Sequence, residues 1–171
     1  MHACKGSDHP DAVETSAQAP IFEDAADFKA NGGAKWKAMV HIIAHGLASD
    51  TAPPIAMDKE GHLVPTPNAT LDQWRSGPTH SRKRRMAVYM DFTQNVPSFA
   101  SAIRKTLDLE PFILTGQTDH ALRREIISQW QHDEIRRVLI FTSVAATGIN
   151  LSAADTLIIA VRKSQNSVLY P

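Results

Sequence analysis

Hydroxyl side chains follow directly on an apolar run in the last third of the chain. Residues 138–141 read VLIF, which is typical of a buried strand, and Thr142 and Ser143 come next. In open α/β sheets, ligands bind at the carboxyl ends of the strands. Both residues offer a hydroxyl and a backbone amide at such an end, so this segment is the first candidate for a binding site.

A loop with three further candidate residues connects this strand to the next apolar run, residues 156–161. Gly148 permits a positive φ angle or the close approach of another group. Asn150 and Asp155 can fix the loop through hydrogen bonds from side chain to backbone. An ordinary strand–loop–strand connection accounts for the same pattern, so the residues alone leave a structural and a functional interpretation open.

Several common catalytic and cofactor motifs are missing from the sequence. It has no G-x-x-x-x-G-K-[ST] phosphate loop, no G-x-G-x-x-G dinucleotide fingerprint and no G-x-S-x-G nucleophile elbow. Cys4 is the only cysteine, which excludes an internal disulfide framework and a cysteine-based zinc site. His41 and His45 lie four positions apart on a predicted helix, but no third ligand is apparent nearby, so we expect no metal site.

The composition fits a single packed domain with balanced charge. Of the 171 residues, 43% are hydrophobic and 21% are charged, which is enough to build a core. Because 18 Lys and Arg residues balance 18 Asp and Glu residues, a protein that binds nucleic acid by charge alone is disfavoured. No apolar run reaches the roughly 18 residues of a membrane helix, so we expect no membrane contact.

Apolar periodicity predicts alternating strands and helices from residue 86 onwards. Continuous apolar runs predict buried strands at residues 86–90, 111–114, 138–141 and 156–161. Helical spacing follows the first two of these strands, with Asn95 and Thr118 as predicted N-caps. The alternation predicts an α/β fold with an open, mostly parallel sheet of about four strands and flanking helices. The predicted sheet core consists of Val88, Met90, Ile113, Val138, Ile140, Ile158 and Ile159.

The rest of the chain divides into an N-terminal segment, a helix and a long insertion. Residues 1–33 are acidic, small and polar, so we expect them to be poorly ordered. Residues 34–171 form the predicted domain, with an amphipathic helix at residues 35–47 and a proline-rich insertion, interpreted as a long loop, at about residues 50–81. The basic run at residues 82–85 is either a solvated gatekeeper before the first strand or a nucleic-acid or nuclear-import signal.

Taken in order, these segments resemble the C-terminal lobe of Swi/Snf-type helicase-like ATPases. The last loop resembles motif V, S-T-x-A-G-G-x-G-I-N-L-T-A-A-D, through Thr142, the GINL run at residues 148–151 and the AAD run at residues 153–155. The segment KRRMAVYMDFTQNVPSF resembles motif IV, and FILTGQTDHALRREIISQWQ resembles the family segment between these two motifs. The resemblance covers about residues 33–161, with residues 50–81 as an insertion.

Two departures accompany the resemblance. Ala145 and Ala146 stand where the family has two consecutive glycines. The family's motif VI, Q-x-x-G-R-x-x-R-x-G-Q, which supplies an arginine finger, does not occur in the sequence. We therefore expect a truncated or degenerate lobe that does not hydrolyse ATP as an isolated chain, because such fingers contribute about 10³ to 10⁵ in rate.

The resemblance implies a RecA-like fold, which is the P-loop NTPase fold without its own phosphate loop. In the family, two such lobes clamp ATP between them and hold DNA across both. The resemblance therefore implies ATP and Mg²⁺ binding only together with a complementary first lobe. It implies nucleotide binding by Gly148, Asn150 and Asp155, and DNA contacts by Thr115, Gly116, Thr142 and Ser143. The basic run adds Arg84 and Arg85 as candidates for contacts with DNA phosphate.

The function implied is that of the C-terminal lobe of a DNA-dependent, chromatin-remodeller-like ATPase in the nucleus. We expect its DNA binding to be weak and independent of sequence, and its protein partner to be a first helicase lobe or a chromatin protein. Two alternatives stay open: a non-catalytic interaction module derived from such a lobe, and an unrelated RecA- or Rossmann-like enzyme acting on a small molecule. The missing phosphate loop and the missing catalytic triad count against the second alternative.

Overall fold

A computed structural model of the chain describes residues 21–48, 53, 55–66, 83–143 and 148–160. These residues form four α helices: α1 (Ala25–Asn31), α2 (Ala34–Ala48), α3 (Val96–Leu107) and α4 (His120–His132). They also form six strands: β1 (Ile55–Met57), β2 (Leu63–Pro65), β3 (Met86–Met90), β4 (Phe112–Leu114), β5 (Val138–Thr142) and β6 (Thr156–Ala160). None of the helices in these ranges is long and apolar enough to cross a membrane.

Strands β3 to β6 build one parallel sheet in the order β4-β5-β3-β6. In the centre, Val88 of β3 lies opposite Ile140 of β5 on one side and opposite Ile158 of β6 on the other. Helix α3 connects β3 to β4 and helix α4 connects β4 to β5, as the crossovers between parallel strands require. The α/β fold with a parallel, open sheet and flanking helices, predicted from the alternating apolar runs, is confirmed.

The middle of this sheet is covered on both faces, which explains why its central strands are apolar without interruption. On one face, Val88 and Ile140 pack in a cluster with apolar residues of α1, α2 and α3. On the other face, Leu139 and Phe141 pack with Trp130 of α4 and with the connection before β6. Leu139 and Ile140 are both 0% exposed although they point to opposite faces.

The edge strand β6 departs from the predicted core. Ile159, predicted to be buried, is 58% exposed, and Leu157 on the same face is 49% exposed. Neither side chain joins the apolar clusters that the described residues form. Ile158, on the opposite face, is half-buried, as is Ile113 of the other edge strand, β4. The prediction was wrong for Ile159. An apolar strand has both of its faces buried only where both faces of the sheet are covered, and one face of β6 is exposed.

The N-terminal segment is more ordered than its composition predicts, since residues 21–33 pack onto the domain. Phe22 and Phe28 are 2% and 4% exposed and join the cluster of α2 and α3. The Phe22 ring meets those of Phe28 and Trp36 edge to face, at centroid distances of 5.0 and 6.0 Å. The Ser101 hydroxyl of α3 donates to the Phe22 carbonyl at 3.2 Å. Aromatic burial therefore outweighs the polar composition in residues 21–33, while residues 1–20 lie outside the described residues.

The proline-rich insertion contains an antiparallel hairpin where a long loop was predicted. Strands β1 and β2 pair with Ile55 opposite Pro65 and Met57 opposite Leu63. Asp58 stabilises the connecting turn, since its carboxylate accepts from the His62 N–H at 2.7 Å. The predicted long loop therefore contains regular structure at residues 55–66, and most of the remaining insertion lies outside the described residues.

The two isoleucines of the predicted core should respond very differently to truncation. Ile140→Ala is expected to lower the free energy of unfolding by roughly 2–5 kcal/mol, because it empties a fully buried site at the sheet centre. Ile159→Ala, the matched control on the exposed face of β6, is expected to change it by less than about 1 kcal/mol. Chemical denaturation measures both values, and equal losses would contradict the assignment of β6 to the edge.

Candidate nucleic-acid interface

The carboxyl edge of the sheet brings together several of the predicted site residues. Because β3, β4 and β5 are parallel, the residues that follow them emerge on the same edge. Asp91 follows β3, Thr115 and Gly116 follow β4, and Ser143 follows β5. Neighbouring strands lie about 4.8 Å apart, so these groups form a row along one edge.

A compact turn at residues 115–118, here called the Thr115 turn, leads from β4 to α4. The Thr115 N–H donates to the Thr118 hydroxyl at 3.1 Å, and the Gln117 N–H donates to the Thr115 hydroxyl at 3.3 Å. Gly116 is exposed, and its N–H has no partner among the described residues. Thr118 was predicted to cap α4, but that role falls to Asp119, whose carboxylate accepts from the Ala121 N–H at 3.0 Å. This bond and the N–H of His120 lower the pKa of Asp119.

Arg123 is a candidate that the sequence did not single out. Its Nε donates to the Thr118 carbonyl at 2.8 Å, and its Nη2 lies 3.4 Å from the Gly116 carbonyl. No residue in the described ranges forms an ion pair with it. The side chain therefore brings a positive charge to the Thr115 turn. In the sequence, only its position four residues after the N-cap Asp119 could have predicted that Arg123 lies near this turn.

The two hydroxyl residues predicted at the end of β5, Thr142 and Ser143, differ in exposure. Thr142 is 1% exposed, and its hydroxyl has no hydrogen-bond partner among the described residues. Ser143 is exposed at the carboxyl edge. Because the Thr142 hydroxyl does not reach the surface, it is not placed to contact DNA phosphate, contrary to expectation. Thr142 is therefore not part of the candidate interface.

Tyr89 and Asp91 form a hydrogen-bonded pair at the end of β3 that the sequence did not reveal. The Tyr89 hydroxyl donates to Asp91 Oδ1 at 2.9 Å. This bond raises the pKa of Tyr89, and Ser143 acts on the pKa in the opposite direction. The Tyr89 ring is fixed edge to face against Phe141 at a centroid distance of 5.6 Å.

Gly148 and Asn150 lie on the connection that returns from β5 to the start of β6. Gly148 has a φ of +77°, and the space that a methyl group would occupy there is open, so the backbone conformation and not a close contact requires glycine. Asn150 Oδ1 accepts from the Ser152 N–H at 3.0 Å, which closes a local turn. Both residues are exposed, and their binding of nucleotide stays a prediction.

Asp155 lies at the opposite, amino edge of the sheet. Its carboxylate accepts from the Arg85 N–H at 2.8 Å, and its own N–H donates to the Arg85 carbonyl at 2.8 Å. These bonds join the beginnings of β6 and β3. The structure thus places Asp155 apart from the carboxyl edge, with its carboxylate bonded to the backbone of Arg85, and its binding of nucleotide stays a prediction.

Arg84 and Arg85 are buried, at 4% and 5% exposure, where a solvated basic run was expected. The Arg85 guanidinium donates to the carbonyls of Trp130 at 2.8 Å, Lys83 at 3.1 Å and Asp133 at 3.2 Å. Trp130 and Asp133 lie at the end of α4, where carbonyls lack helical partners. The expected DNA contacts of Arg84 and Arg85 are not supported by the structure, because both side chains are buried and the Arg85 guanidinium binds carbonyls inside the fold.

A third arginine, Arg137, binds a carbonyl at the end of α2 in the same way. Its Nη2 donates to the Leu47 carbonyl in the last turn of α2 at 3.1 Å, and its Nη1 lies 3.4 Å from the Arg84 carbonyl. Within the described ranges, no group of three His, Cys, Asp or Glu side chains is placed to hold a metal ion. The amino edge is thus occupied by structural contacts.

Most of the chain matches one known protein family. Residues 68–169, more than half of its 171 residues, match the family described as "Helicase conserved C-terminal domain". The chain belongs to this family, so the predicted helicase C-terminal lobe is confirmed. No curated protein matches the chain significantly.

Solved structures similar to the chain include two of a Sulfolobus solfataricus SWI2/SNF2 ATPase and one of the Fun30 ATPase. The Sulfolobus solfataricus SWI2/SNF2 ATPase C-terminal domain is 24% identical over 53% of this chain and 36% of its own, with a TM-score of 0.41. The C-terminal part of the Fun30 ATPase domain is 23% identical over 52% and 32%, with a TM-score of 0.41. The S. solfataricus SWI2/SNF2 ATPase core in complex with dsDNA is 20% identical over 78% and 29%, with a TM-score of 0.42. The chain thus spans about a third of the length of these structures.

Replacing the buried guanidinium of Arg85 should destabilise the fold even when the charge is kept. Arg85→Lys is expected to lower the free energy of unfolding by about 2–4 kcal/mol, because an ammonium group cannot serve carbonyls in the directions of the guanidinium fork. Arg124→Lys, on the exposed side of α4, is the matched control and should stay within about 0.5 kcal/mol of the wild type. Urea denaturation measures both, and wild-type stability of Arg85→Lys would show that the buried contacts contribute little.

Proposed function

We propose that this helicase C-terminal domain is the second lobe of a DNA-dependent ATPase and contacts the DNA backbone through the Thr115 turn. The observation that carries the proposal is the placement of the Arg123 guanidinium beside Gly116 at the carboxyl end of β4. A phosphate at this turn would meet a positive charge, the Gly116 N–H and the Thr115 hydroxyl. Donors of this kind bind phosphate without reading the base sequence.

The proposed DNA binding is weak because the chain offers little long-range attraction. Its 18 basic and 18 acidic residues cancel, and Arg84 and Arg85 are withdrawn from the surface. The remaining contact is local, so a second DNA-binding surface on a complementary first lobe would supply the rest of the affinity. The same first lobe would supply the phosphate loop that this sequence lacks, so ATP and Mg²⁺ are proposed to bind only between the two.

Nuclear location and a chromatin substrate belong to the proposal on the family resemblance alone. The basic run at residues 82–85 does not support nuclear import, because Arg84 and Arg85 are buried in the folded chain. A non-catalytic interaction module is the second candidate function. The specific observation in its favour is the exposed apolar pair Leu157 and Ile159 on the edge strand β6.

DNA binding through the Thr115 turn is tested by neutralising its cation. Arg123→Gln is expected to weaken binding of a labelled duplex and to reduce the slope of log affinity against log salt by about 0.9, the value for one phosphate contact. Lys105→Gln, in the last turn of α3 and far from the Thr115 turn, removes the same charge and should leave the slope unchanged. Fluorescence anisotropy across a salt series measures both, with unfolding curves to show that each variant is folded.

Equal effects of Arg123→Gln and Lys105→Gln would mean that only net charge matters and would contradict a contact at the Thr115 turn. Absence of binding by the wild type at low salt would favour the interaction module instead.

The 171-residue chain is expected to show no ATP turnover above background, with or without duplex DNA. The reason is chemical: the sequence has neither a phosphate loop to hold the β- and γ-phosphates nor the motif that supplies an arginine finger. A phosphate-release assay on purified protein measures the rate. DNA-stimulated turnover that survives repurification would show that the chain holds the nucleotide by itself.

A further inference from the structure

Asparagine is followed by glycine at only one position of the sequence, Asn31–Gly32. The backbone nitrogen of the residue after an asparagine can attack the carbon of the side-chain amide. This reaction is fastest before glycine, because glycine has no side chain to hinder the approach. Asn31 is the last residue of α1 and is exposed, and Gly32 is the C-cap of the same helix. The susceptible pair therefore lies at a helix end.

Glycine at position 32 is required by packing. A Cβ atom there would lie 2.5 Å from the Phe28 carbonyl oxygen and 2.6 Å from carbon atoms of the Phe28 ring, which is too close for any side chain. Phe28 is 4% exposed and belongs to the apolar cluster that α1 shares with α2 and α3. The fold thus requires a glycine directly after Asn31, and the reactive pair comes with it.

Both reacting groups are engaged in other bonds in the folded chain. The Gly32 nitrogen, which would attack, is buried and donates its proton to the Phe28 carbonyl at 2.8 Å. The Asn31 amide, which would be attacked, donates to Asp27 Oδ1 at 2.7 Å, one turn back along α1. The attack therefore requires that the last turn of α1 opens and breaks both bonds. Local openings of this kind have their lowest free energies at fraying ends.

We propose that Asn31 is a site of spontaneous deamidation that the last turn of α1 controls, and that its conversion loosens residues 21–31 from the domain. When the turn opens, the Gly32 nitrogen gives its proton to solvent and bonds to Asn31 Cγ. The bond from Cγ to Nδ2 breaks, and ammonia leaves with the proton that the nitrogen gave up. Water then opens the resulting cyclic succinimide to aspartate or isoaspartate. Water is the only co-reactant, nothing is oxidised or reduced, and the inference is independent of the proposed DNA contact.

The product removes one of the bonds that close the turn. A carboxylate in place of the Asn31 amide has no proton to donate to Asp27, and it puts two negative charges where the hydrogen bond was. It also adds a negative charge at the carboxyl end of a helix, where the terminal carbonyls repel it. Conversion therefore weakens the attachment of residues 21–31, which carry the buried rings of Phe22 and Phe28.

Peptide mapping by mass spectrometry, after incubation of the full chain at mildly alkaline pH, measures the reaction. Asp27→Ala is expected to raise the rate at Asn31 about two- to fivefold, because it removes the acceptor that holds the amide. Glu23→Ala, the matched control, removes an exposed carboxylate four positions earlier and should leave the rate unchanged. An unchanged or lower rate in Asp27→Ala, or an equal increase in both variants, would overturn control by α1.

The same chain in urea provides the reference rate. Unfolded wild type and unfolded Asp27→Ala should react at the same rate, and faster than the folded wild type, because the contacts of α1 are lost. Asn150, which is followed by leucine, is the internal standard and should stay unmodified over the same period. Equal rates at Asn31 in the folded and the unfolded wild type would show that the fold does not protect the site.

Hydrogen exchange tests the consequence of the modification. Asn31→Asp, which reproduces one of the products, is expected to speed exchange of the backbone amides of α1. Asn31→Gln, the control, keeps an uncharged amide and should exchange like the wild type. Wild-type exchange in Asn31→Asp would mean that the product leaves the attachment of residues 21–31 intact and would overturn the second part of the proposal.

Discussion

The buried guanidinium of Arg85 holds together the elements on which the rest of the structure depends. It stands at the entry to the central strand β3, and its three hydrogen bonds satisfy carbonyls that include two at the end of α4. Its backbone is paired with Asp155 at the entry to β6. A cation taken out of water needs such partners, and carbonyls at the end of a helix need donors. The side chain of Arg85 meets both needs, and its backbone adds the link to β6, so one residue connects a helix and two strands.

The two edges of the sheet consequently have different tasks. Arg85 and Arg137 bind the last carbonyls of α4 and α2 at the amino edge, where long side chains reach between elements. At the carboxyl edge the polar contacts are local: the Thr115 hydroxyl accepts from the Gln117 N–H, and Asp91 accepts from the hydroxyl of Tyr89. Helices anchored at one end leave the loops at the other end free to vary. The carboxyl edge carries both the positively charged Arg123 and the exposed side chain of Asp91.

Much of the fold could be predicted because its information is local. The apolar runs of β3 and β5 and the helical spacing between them specify a parallel sheet before any contact is known. The candidate site was less predictable, because its members meet only after folding. Arg85 donates to the carbonyl of Trp130, which lies 45 positions later in the chain. Two arginines of a basic run that the sequence would place in solvent are therefore buried in the structure. The position of β5 next to β3 is likewise not indicated by the chain order. The exposure of Ile159 depends on whether another element packs on that face of β6, and the sequence of β6 alone does not show this.

The position of β3 in the sheet has a consequence for how the chain is made. Its register pairs Met86 with Val138 and with Thr156, so both partners of the central strand are synthesised after it. At about 5–20 residues per second, the 52 positions between Met86 and Val138 take roughly 3–10 s on the ribosome. During that interval an uncharged apolar strand waits without a partner, and the preceding basic run at residues 82–85 can keep such nascent chains from associating. Arginines that repel neighbouring chains during synthesis are thus the same ones that close the amino edge once β5 and β6 have arrived.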